Sequence, residues 1–310
     1  MSLLNRRSSG NRRRKKTSRF QRSNSEQRSD PEQRSSSEQR KGPEAPRPGQ
    51  LLNRSIIKTI GSFVAALRFL SIIPFAGNFG TSKDDLSGAV PFFPLVGLLF
   101  GCMALPLTWC LSQVLPPAVT AVLTVFILLS FSGGLHLDGL ADTADGFFSS
   151  RPRERMLEIM RDSASGAMGV MALVLLLSLK IACLASMSDQ LFIAVFLMPI
   201  AGRIAILLLM AMLPYARSEG GLGSLFKDAF DTQQARLRAL AALLVLSGIS
   251  WAAAGPQGIL AVFAVLLVTA LFAFFCRKKI GGVTGDTLGA VCELTEAVIA
   301  LVFVIKLGGL

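Results

Sequence analysis

Apolar runs of about membrane length recur along most of the chain. A helix needs about 20 predominantly apolar residues to cross the hydrocarbon core of a bilayer. Runs near this length cover residues 88–112, 117–137, 167–188, 190–213, 238–255, 257–276 and 288–307. The pattern predicts an all-α integral membrane protein, a polytopic helical bundle with about seven transmembrane helices.

A further apolar stretch, residues 56–76, precedes these runs and is interrupted by Lys58, Arg68 and Pro74. Such a stretch is able to cross the membrane, to lie in its interface, or to enter and return on the same side. The charges of the later loops favour the second and third possibilities, so we expect an interfacial or re-entrant N-terminal helix.

The loops on the two sides of the predicted bundle differ in charge. If residues 56–76 do not cross, three loops share the side of the N-terminus, namely 138–166, 214–237 and 277–287. All three contain Lys or Arg, whereas the opposite loops contain neither. Because cytoplasmic loops are enriched in Lys and Arg, the asymmetry favours seven spans with the N-terminus inside and the C-terminus outside. A crossing of the membrane by residues 56–76, which would make eight spans, stays open as an alternative.

The positive charge of the protein is concentrated before the first apolar run. The net charge is +12, and residues 1–50 contribute 14 Lys and Arg against 5 Asp and Glu, a net of +9. Serine and a recurring Gln-Arg pair fill much of this segment, which lacks the apolar residues needed for a core. We therefore expect a disordered basic cytoplasmic tail at 1–52, with no nucleic-acid partner, and a membrane catalytic domain at 53–310.

Three aspartates follow the second predicted span, at positions 138, 142 and 145. On a helix the i, i+4, i+7 spacing places Asp138, Asp142 and Asp145 on one face. Carboxylates this close beside hydrocarbon repel one another, so we expect a hard divalent cation with a phosphorylated substrate beyond it. His136 is the single histidine and the five cysteines have no ligand spacing, which disfavours zinc and makes Mg²⁺ the expected metal.

A second acidic group lies within and just after the glycine-rich stretch 281–290, on the same predicted side of the membrane. Asp286, Glu293 and Glu296 are spaced to share a helical face. The glycines allow backbone to approach a phosphate closely. The two acidic groups together predict a metal-bridged diphosphate site.

Several cations accompany these acids. Lys180 and Arg203 lie deep in predicted spans, where a charge needs a partner, so they either hold a diphosphate or neutralise a buried carboxylate. Arg161 and Asp162 precede a predicted helix start that is either an anion site or an ordinary capping loop. Arg217 lies in a glycine-rich loop, which alone is a weak signal.

Residues 134–146, GLHLDGLADTADG, resemble the signature of cobalamin synthase, the adenosylcobinamide-GDP ribazoletransferase family. The resemblance continues in order at residues 93–97, 155–163 and 282–290. Two departures are the basic tail and one extra residue in the loop 216–223.

The resemblance implies a magnesium-dependent enzyme of the bacterial inner membrane, with its active site on the cytoplasmic side. It implies a late step of vitamin B12 assembly, in which adenosylcobinamide-GDP is joined to α-ribazole or its 5′-phosphate and GMP is released. Other corrinoid-assembly enzymes are conceivable partners.

Within that reaction we expect Asp138 and Asp142 to bind magnesium and Asp145 to be a further ligand or the general base. Asp286 would complete the metal shell or bind guanosine together with Glu293. The residues expected to contact substrate are His136, Arg161, Asp162, Lys180, Arg203, Arg217, Asp286, Glu293 and Glu296.

Three other functions are compatible with parts of the sequence. An intramembrane prenyltransferase would use the Asp138–Asp142 spacing. Such an enzyme needs a second Asp-rich motif of similar form, and the loop 214–237 supplies only Asp228 and Asp231, in an undistinguished context. A CDP-alcohol phosphotransferase would want an arginine where Asp142 stands. A secondary transporter would need polar groups toward both sides, and the loops here are polar on one side only.

Overall fold

The computed structural model describes residues 48–75, 77–217, 226 and 229–305, and for 48–54 only the backbone. Apart from the start of the first helix, the predicted tail at 1–52 lies outside the described residues. Within them the regular structure is helical, which confirms the predicted all-α class. The α-helices are α1 Pro48–Leu70, α2 Lys83–Ser87, α3 Phe93–Ser112, α4 Pro117–Ser132, α5 Leu135–Phe148, α6 Arg153–Ile159, α7 Ala167–Ala185, α8 Leu191–Met212, α9 Gln233–Ile280 and α10 Gly285–Val304.

Among the described residues, five helices are long and apolar enough to cross a membrane: Val90–Ser112 (α3 with the 3-10 turn before it), α7, α8, α9 and α10. The α4–α5 pair makes a sixth if the two helices count as one broken span. The helix α1 is not among these candidates. The expected count of seven spans is therefore not confirmed.

The segment labelled α9 is two helices joined at Gly255. There the backbone adopts φ 52° and ψ −130°, a conformation that glycine tolerates, and Pro256 follows. Ala235 near the start of α9 packs in the same apolar cluster as Ala273 and Cys276 near its end. The segment therefore folds back on itself, and the break lies at the boundary predicted between the runs 238–255 and 257–276.

The helix α8 lies at the centre of the bundle, with 17 of its 22 residues buried. It packs most extensively against α3 and α10. Gly97 of α3 lies against the backbone of Pro199 and Ile200, and Gly202 of α8 lies against Cys292 of α10. Small residues at these crossings let the helix axes approach closely, as is usual in membrane bundles.

The chain bends by 91° between α4 and α5. Gly133 and Gly134 both have positive φ, 61° and 76°, which glycine adopts without strain. The bend turns α5 across α10, where Gly139 contacts the backbone of Asp286 and Gly289 contacts the backbone of His136. The close crossing brings the two acidic segments predicted from the sequence side by side.

We expect Gly97→Ala to destabilise the bundle, because the added methyl carbon would lie 2.9 Å from Ile200 Cα and closer still to the Pro199 carbonyl oxygen. Overpacking of this kind costs about 1–3 kcal/mol. The midpoint of thermal unfolding in detergent measures the effect.

The matched control is Gly248→Ala in α9, where no atom lies within 4 Å of the added carbon. Alanine is favoured over glycine inside a helix by up to about 1 kcal/mol, so the control midpoint should stay equal or rise. Equal midpoints for the two variants would contradict the proposed tight α3–α8 packing.

Candidate active site

Acidic side chains from α5 and α10 meet where these helices cross. Asp138 is exposed, while Asp142 one turn later and Asp286 in the first turn of α10 are half-buried. Asp142 lies within electrostatic range of Asp138, Asp145, Asp286 and Arg217. The crossing therefore brings together four carboxylates from the two motifs and one arginine.

The start of α10 is fixed by a capping box. The Thr284 hydroxyl accepts from the Thr287 backbone N–H at 3.3 Å, and the Thr287 hydroxyl accepts from the Thr284 N–H at 2.8 Å. Such reciprocal bonds satisfy backbone donors that a helix start leaves free. Asp286 lies in this first turn, where the helix dipole favours a negative charge.

Backbone pairing brings the loop after α8 beside the start of α10. The Ala216 N–H donates to the Val283 carbonyl at 2.8 Å, and the Val283 N–H donates to the Pro214 carbonyl at 3.0 Å. The Arg153 side chain holds the same place, donating to the carbonyls of Ala216 at 2.7 Å and Ile280 at 2.8 Å.

This pairing places Arg217 against Asp286. The Arg217 Nη2 atom lies 2.8 Å from Asp286 Oδ2, and the Thr284 hydroxyl donates to the same oxygen at 3.2 Å. Arg217 is 7% exposed, so little water screens the pair. Burial also raises the pKa of the neighbouring Tyr215 hydroxyl, against the opposing charge of Arg217, so this tyrosine stays protonated at neutral pH.

A cavity of about 280 Å³ lies at the crossing and is called the acidic cavity below. Its polar lining consists of His136, Asp138, Arg161, Arg217 and Asp286. Aromatic side chains, including Phe69, Phe93 and Phe226, form part of the remaining wall. Five residues predicted from separate parts of the sequence thus surround one space.

A second, more open cavity of about 620 Å³, called the side cavity, lies next to the first. Phe69, Leu135 and Asp138 line both. Asp138 therefore stands at the junction of the two cavities.

Asp145 has a different environment from the other two aspartates of α5. Its Oδ2 atom accepts from the Gly166 N–H at 2.6 Å and its Oδ1 atom accepts from the Gly169 N–H at 2.8 Å. Asp145 thus caps the start of α7, the helix terminus considered above as a possible anion site. The anion found there is a carboxylate of the protein itself.

Four ionic residues inside the described part of the bundle pair with one another. Lys180 Nζ lies 2.7 Å from Glu293 Oε2 and 2.8 Å from Glu296 Oε2, and Arg203 Nη1 lies 2.5 Å from Glu296 Oε1. We call these four residues the ion network; all are buried. None of them lines the acidic cavity. The sequence left two roles open for Lys180 and Arg203, to hold a diphosphate or to neutralise a buried carboxylate. The observed ion pairs correspond to the second role, and direct contact with substrate stays a prediction.

Asp162, also predicted to contact substrate, is exposed, and its Oδ1 atom accepts from the Ala164 N–H at 3.1 Å. Sequence reasoning missed Thr284 as a partner of Asp286. The pattern Thr-x-Asp at the start of a predicted helix was the available signal, because threonine is a preferred N-cap residue.

In the described part of the chain, no group of three or more His, Cys, Asp or Glu side chains converges on a single metal position. Magnesium in enzymes commonly uses one or two carboxylates together with waters and substrate phosphates. The pair Asp138 and Asp142, with Asp286 opposite, supplies oxygen donors of that kind. Magnesium binding stays a prediction.

Comparison with known proteins gives the family. A family model described as cobalamin-5-phosphate synthase matches residues 62–304. The chain belongs to the cobalamin-5-phosphate synthase family. The match begins after the basic tail and includes all the predicted site residues of both acidic motifs.

Relatives named adenosylcobinamide-GDP ribazoletransferase cover most of this family region. The one from Desulforamulus reducens is 41% identical over 244 residues, which are 78% of this chain and 95% of the relative. The one from Roseiflexus sp. is 39% identical over 236 residues, 75% of this chain and 85% of the relative. The one from Acetivibrio thermocellus is 36% identical over 252 residues, 80% and 98% of the two chains. No solved structure matches.

We expect Asp145→Asn to loosen the start of α7. Gly166 and Gly169 donate to different carboxylate oxygens, and the amide nitrogen that replaces one of these oxygens cannot accept a hydrogen bond. Leaving a buried donor unsatisfied costs about 1–3 kcal/mol. The thermal midpoint should fall, and hydrogen exchange of the amides at 166–170 should become faster.

Asp162→Asn is the matched control, since it removes the same charge from an exposed side chain with a local partner. A fall in midpoint of the same size in both variants would argue against the capping role of Asp145.

Proposed function

We propose that the protein is an adenosylcobinamide-GDP ribazoletransferase that acts late in cobalamin synthesis. It would join adenosylcobinamide-GDP to α-ribazole or its 5′-phosphate and release GMP. The observation that carries this proposal is the acidic cavity, where carboxylates and arginines of the family region surround one space. Family membership does not favour a prenyltransferase, a CDP-alcohol phosphotransferase or a transporter.

The reaction is a transfer at phosphorus. A ribose hydroxyl oxygen of the acceptor forms a bond to the phosphorus that is linked to cobinamide. The bond from this phosphorus to the bridging diphosphate oxygen breaks, and GMP leaves with that electron pair. The hydroxyl proton passes to a carboxylate at the crossing of α5 and α10.

In this reaction the arginines of the acidic cavity would bind phosphate, and the carboxylates would accept the proton. Arg161 and Arg217 would contact the diphosphate, and Asp286 holds the Arg217 side chain in place at 2.8 Å. Preorganised cations of this kind stabilise the charge that develops on a leaving phosphate. The Asp145 carboxylate is engaged by two backbone amides, so we assign the proton transfer to the Asp138 and Asp142 pair.

Magnesium is the cofactor that we propose. Asp138 and Asp142, with Asp286, would hold it, and when bound it would neutralise the diphosphate and stabilise the departing GMP. Oxygen donors and the exposed position of Asp138 support a hard cation that keeps some of its water.

The two adjoining cavities support a reaction with two substrates. Because Asp138 lines both, a donor in one and an acceptor in the other would meet beside this carboxylate. The amphiphilic corrinoid and the ribazole base also suit cavities whose walls are largely aromatic and aliphatic.

We further propose that the site faces the cytoplasm of a bacterium and that the protein lies in its inner membrane. Arg153, Arg161, Arg217 and Lys279 all lie at the end of the bundle that carries the site. At the opposite end the described contact between Gln190 and Gln257 is uncharged. This distribution is the one expected for cytoplasmic and external ends.

The reaction is tested by incubating purified protein in nanodiscs with adenosylcobinamide-GDP and magnesium, with and without α-ribazole. We expect GMP release that depends on α-ribazole, with formation of adenosylcobalamin, both measured by chromatography. Absence of α-ribazole-dependent GMP release would sink the proposal.

The metal assignment is tested by Asp142→Asn in a magnesium titration. At limiting magnesium we expect the rate to fall about tenfold or more and to recover partly at high magnesium. Asp189→Asn is the control, because Asp189 is exposed on the α7–α8 connection at the other end of the bundle. An unchanged magnesium dependence in Asp142→Asn would exclude Asp142 as a ligand.

A further inference from the structure

His136 is the residue through which the ion network reaches the acidic cavity. It is 3% exposed and lines that cavity, and its Nδ1 atom lies 3.3 Å from Arg203 Nη2. A guanidinium group only donates hydrogen bonds, so the contact requires Nδ1 to be the acceptor. The imidazole proton therefore resides on Nε2.

The Nε2 atom of His136 has no hydrogen-bond partner in the described part of the chain. Buried polar groups in folded proteins are nearly always paired, so an unpaired donor at a cavity wall indicates a partner supplied by a ligand. The same cavity contains Arg161 and Arg217, which favour an anion there. A phosphate oxygen is the acceptor that matches both features.

The orientation of Arg203 is fixed on several sides. Its Nη1 atom lies 2.5 Å from Glu296 Oε1, and its guanidinium carbon lies 5.0 Å from the centre of the Phe100 ring. The second oxygen of Glu296 accepts from Lys180, which is also bound by Glu293. Two cations and two carboxylates sum to zero charge, so the network holds Arg203 without imposing a net charge beside the imidazole.

We propose that His136 is a neutral hydrogen-bond donor to a phosphate oxygen of the substrate, and that the ion network is a set of positioning residues acting through it. Arg203 selects the Nε2–H tautomer, while Glu296, Lys180 and Glu293 hold Arg203 in place. The phosphate contact rests on the proposed function, whereas the tautomer does not. The network thereby serves the site without touching the substrate.

The tautomer is directly measurable because His136 is the single histidine of the chain. Full-length protein labelled with ¹⁵N-histidine and purified without a histidine tag gives one pair of imidazole nitrogen signals. We expect the signals of a protonated Nε2 and an unprotonated Nδ1 in nanodiscs. A protonated Nδ1 would overturn the proposal, whether or not the protein releases GMP.

Contact with a phosphate is tested with GDP and magnesium as the probe, with GDP binding measured by calorimetry. We expect the Nε2 signal to shift on GDP binding. Binding of GDP without a shift would overturn the phosphate contact and leave the tautomer result standing.

The positioning role is tested by Arg203→Lys, because lysine keeps the charge but lacks the planar fork that reaches Glu296 and His136 together. We expect mixed tautomers and a kcat lowered about tenfold or more, with little change in KM. Gln257→Leu, which removes a partly buried polar contact at the opposite end of the bundle, should leave both the tautomer and kcat unchanged. A wild-type tautomer together with a wild-type kcat in Arg203→Lys would overturn the positioning role.

A variant series at His136 distinguishes this role from a purely structural one. His136→Ala should lower kcat about a hundredfold, the usual effect of removing one preorganised donor, whereas His136→Gln, whose amide reaches about as far as Nε2, should recover part of it. In the His136→Ala background, Arg203→Lys should cause little further loss, because the two residues act as a unit. Equal and independent losses from the two substitutions would overturn the coupling.

Discussion

Lys180 and Arg203 can lie inside an apolar bundle because Glu293 and Glu296 of α10 lie opposite them. An unpaired charge at that depth would be costly, so the four residues fix how α10 is rotated and how deep it sits against α7 and α8. The first turn of α10 follows from that placement, and with it the position of Asp286. A set of contacts in the interior of the bundle thus determines the geometry of the cavity at its end.

The aspartates of α5 share one helical face but differ in what surrounds them. Asp145 is committed to the start of α7, Asp138 is exposed between two cavities, and Asp142 lies between these environments. Helical spacing alone makes the three equivalent, whereas packing makes them different. Arg217 also contributes to this difference, because its pairing with Asp286 leaves the carboxylates of α5 less neutralised.

Sequence reasoning predicted most helices because lipid requires long apolar runs, and the break in α9 was readable from Gly255 and Pro256. It did not separate α5 from α4, because the apolar run 117–137 continues through Gly133 and Gly134. The composition of a run does not reveal a bend between two helices. The rule that a buried cation needs a partner predicted that Lys180 was paired, but not with which acid. The pairing of Arg217 with Asp286 depends on backbone contacts of Pro214 and Ala216 with Val283, and such contacts leave no local pattern.

The junction of the two cavities at Asp138 has a consequence for the fate of an activated phosphate linkage. Water and an alcohol are both able to attack such a linkage, and only attack by the alcohol joins the corrinoid to the acceptor. With the side cavity filled by an acceptor, the space beside Asp138 that water would occupy is taken. In the proposed reaction, the choice between transfer and hydrolysis would depend on whether an acceptor occupies the side cavity, because the acceptor would exclude water from the space beside Asp138.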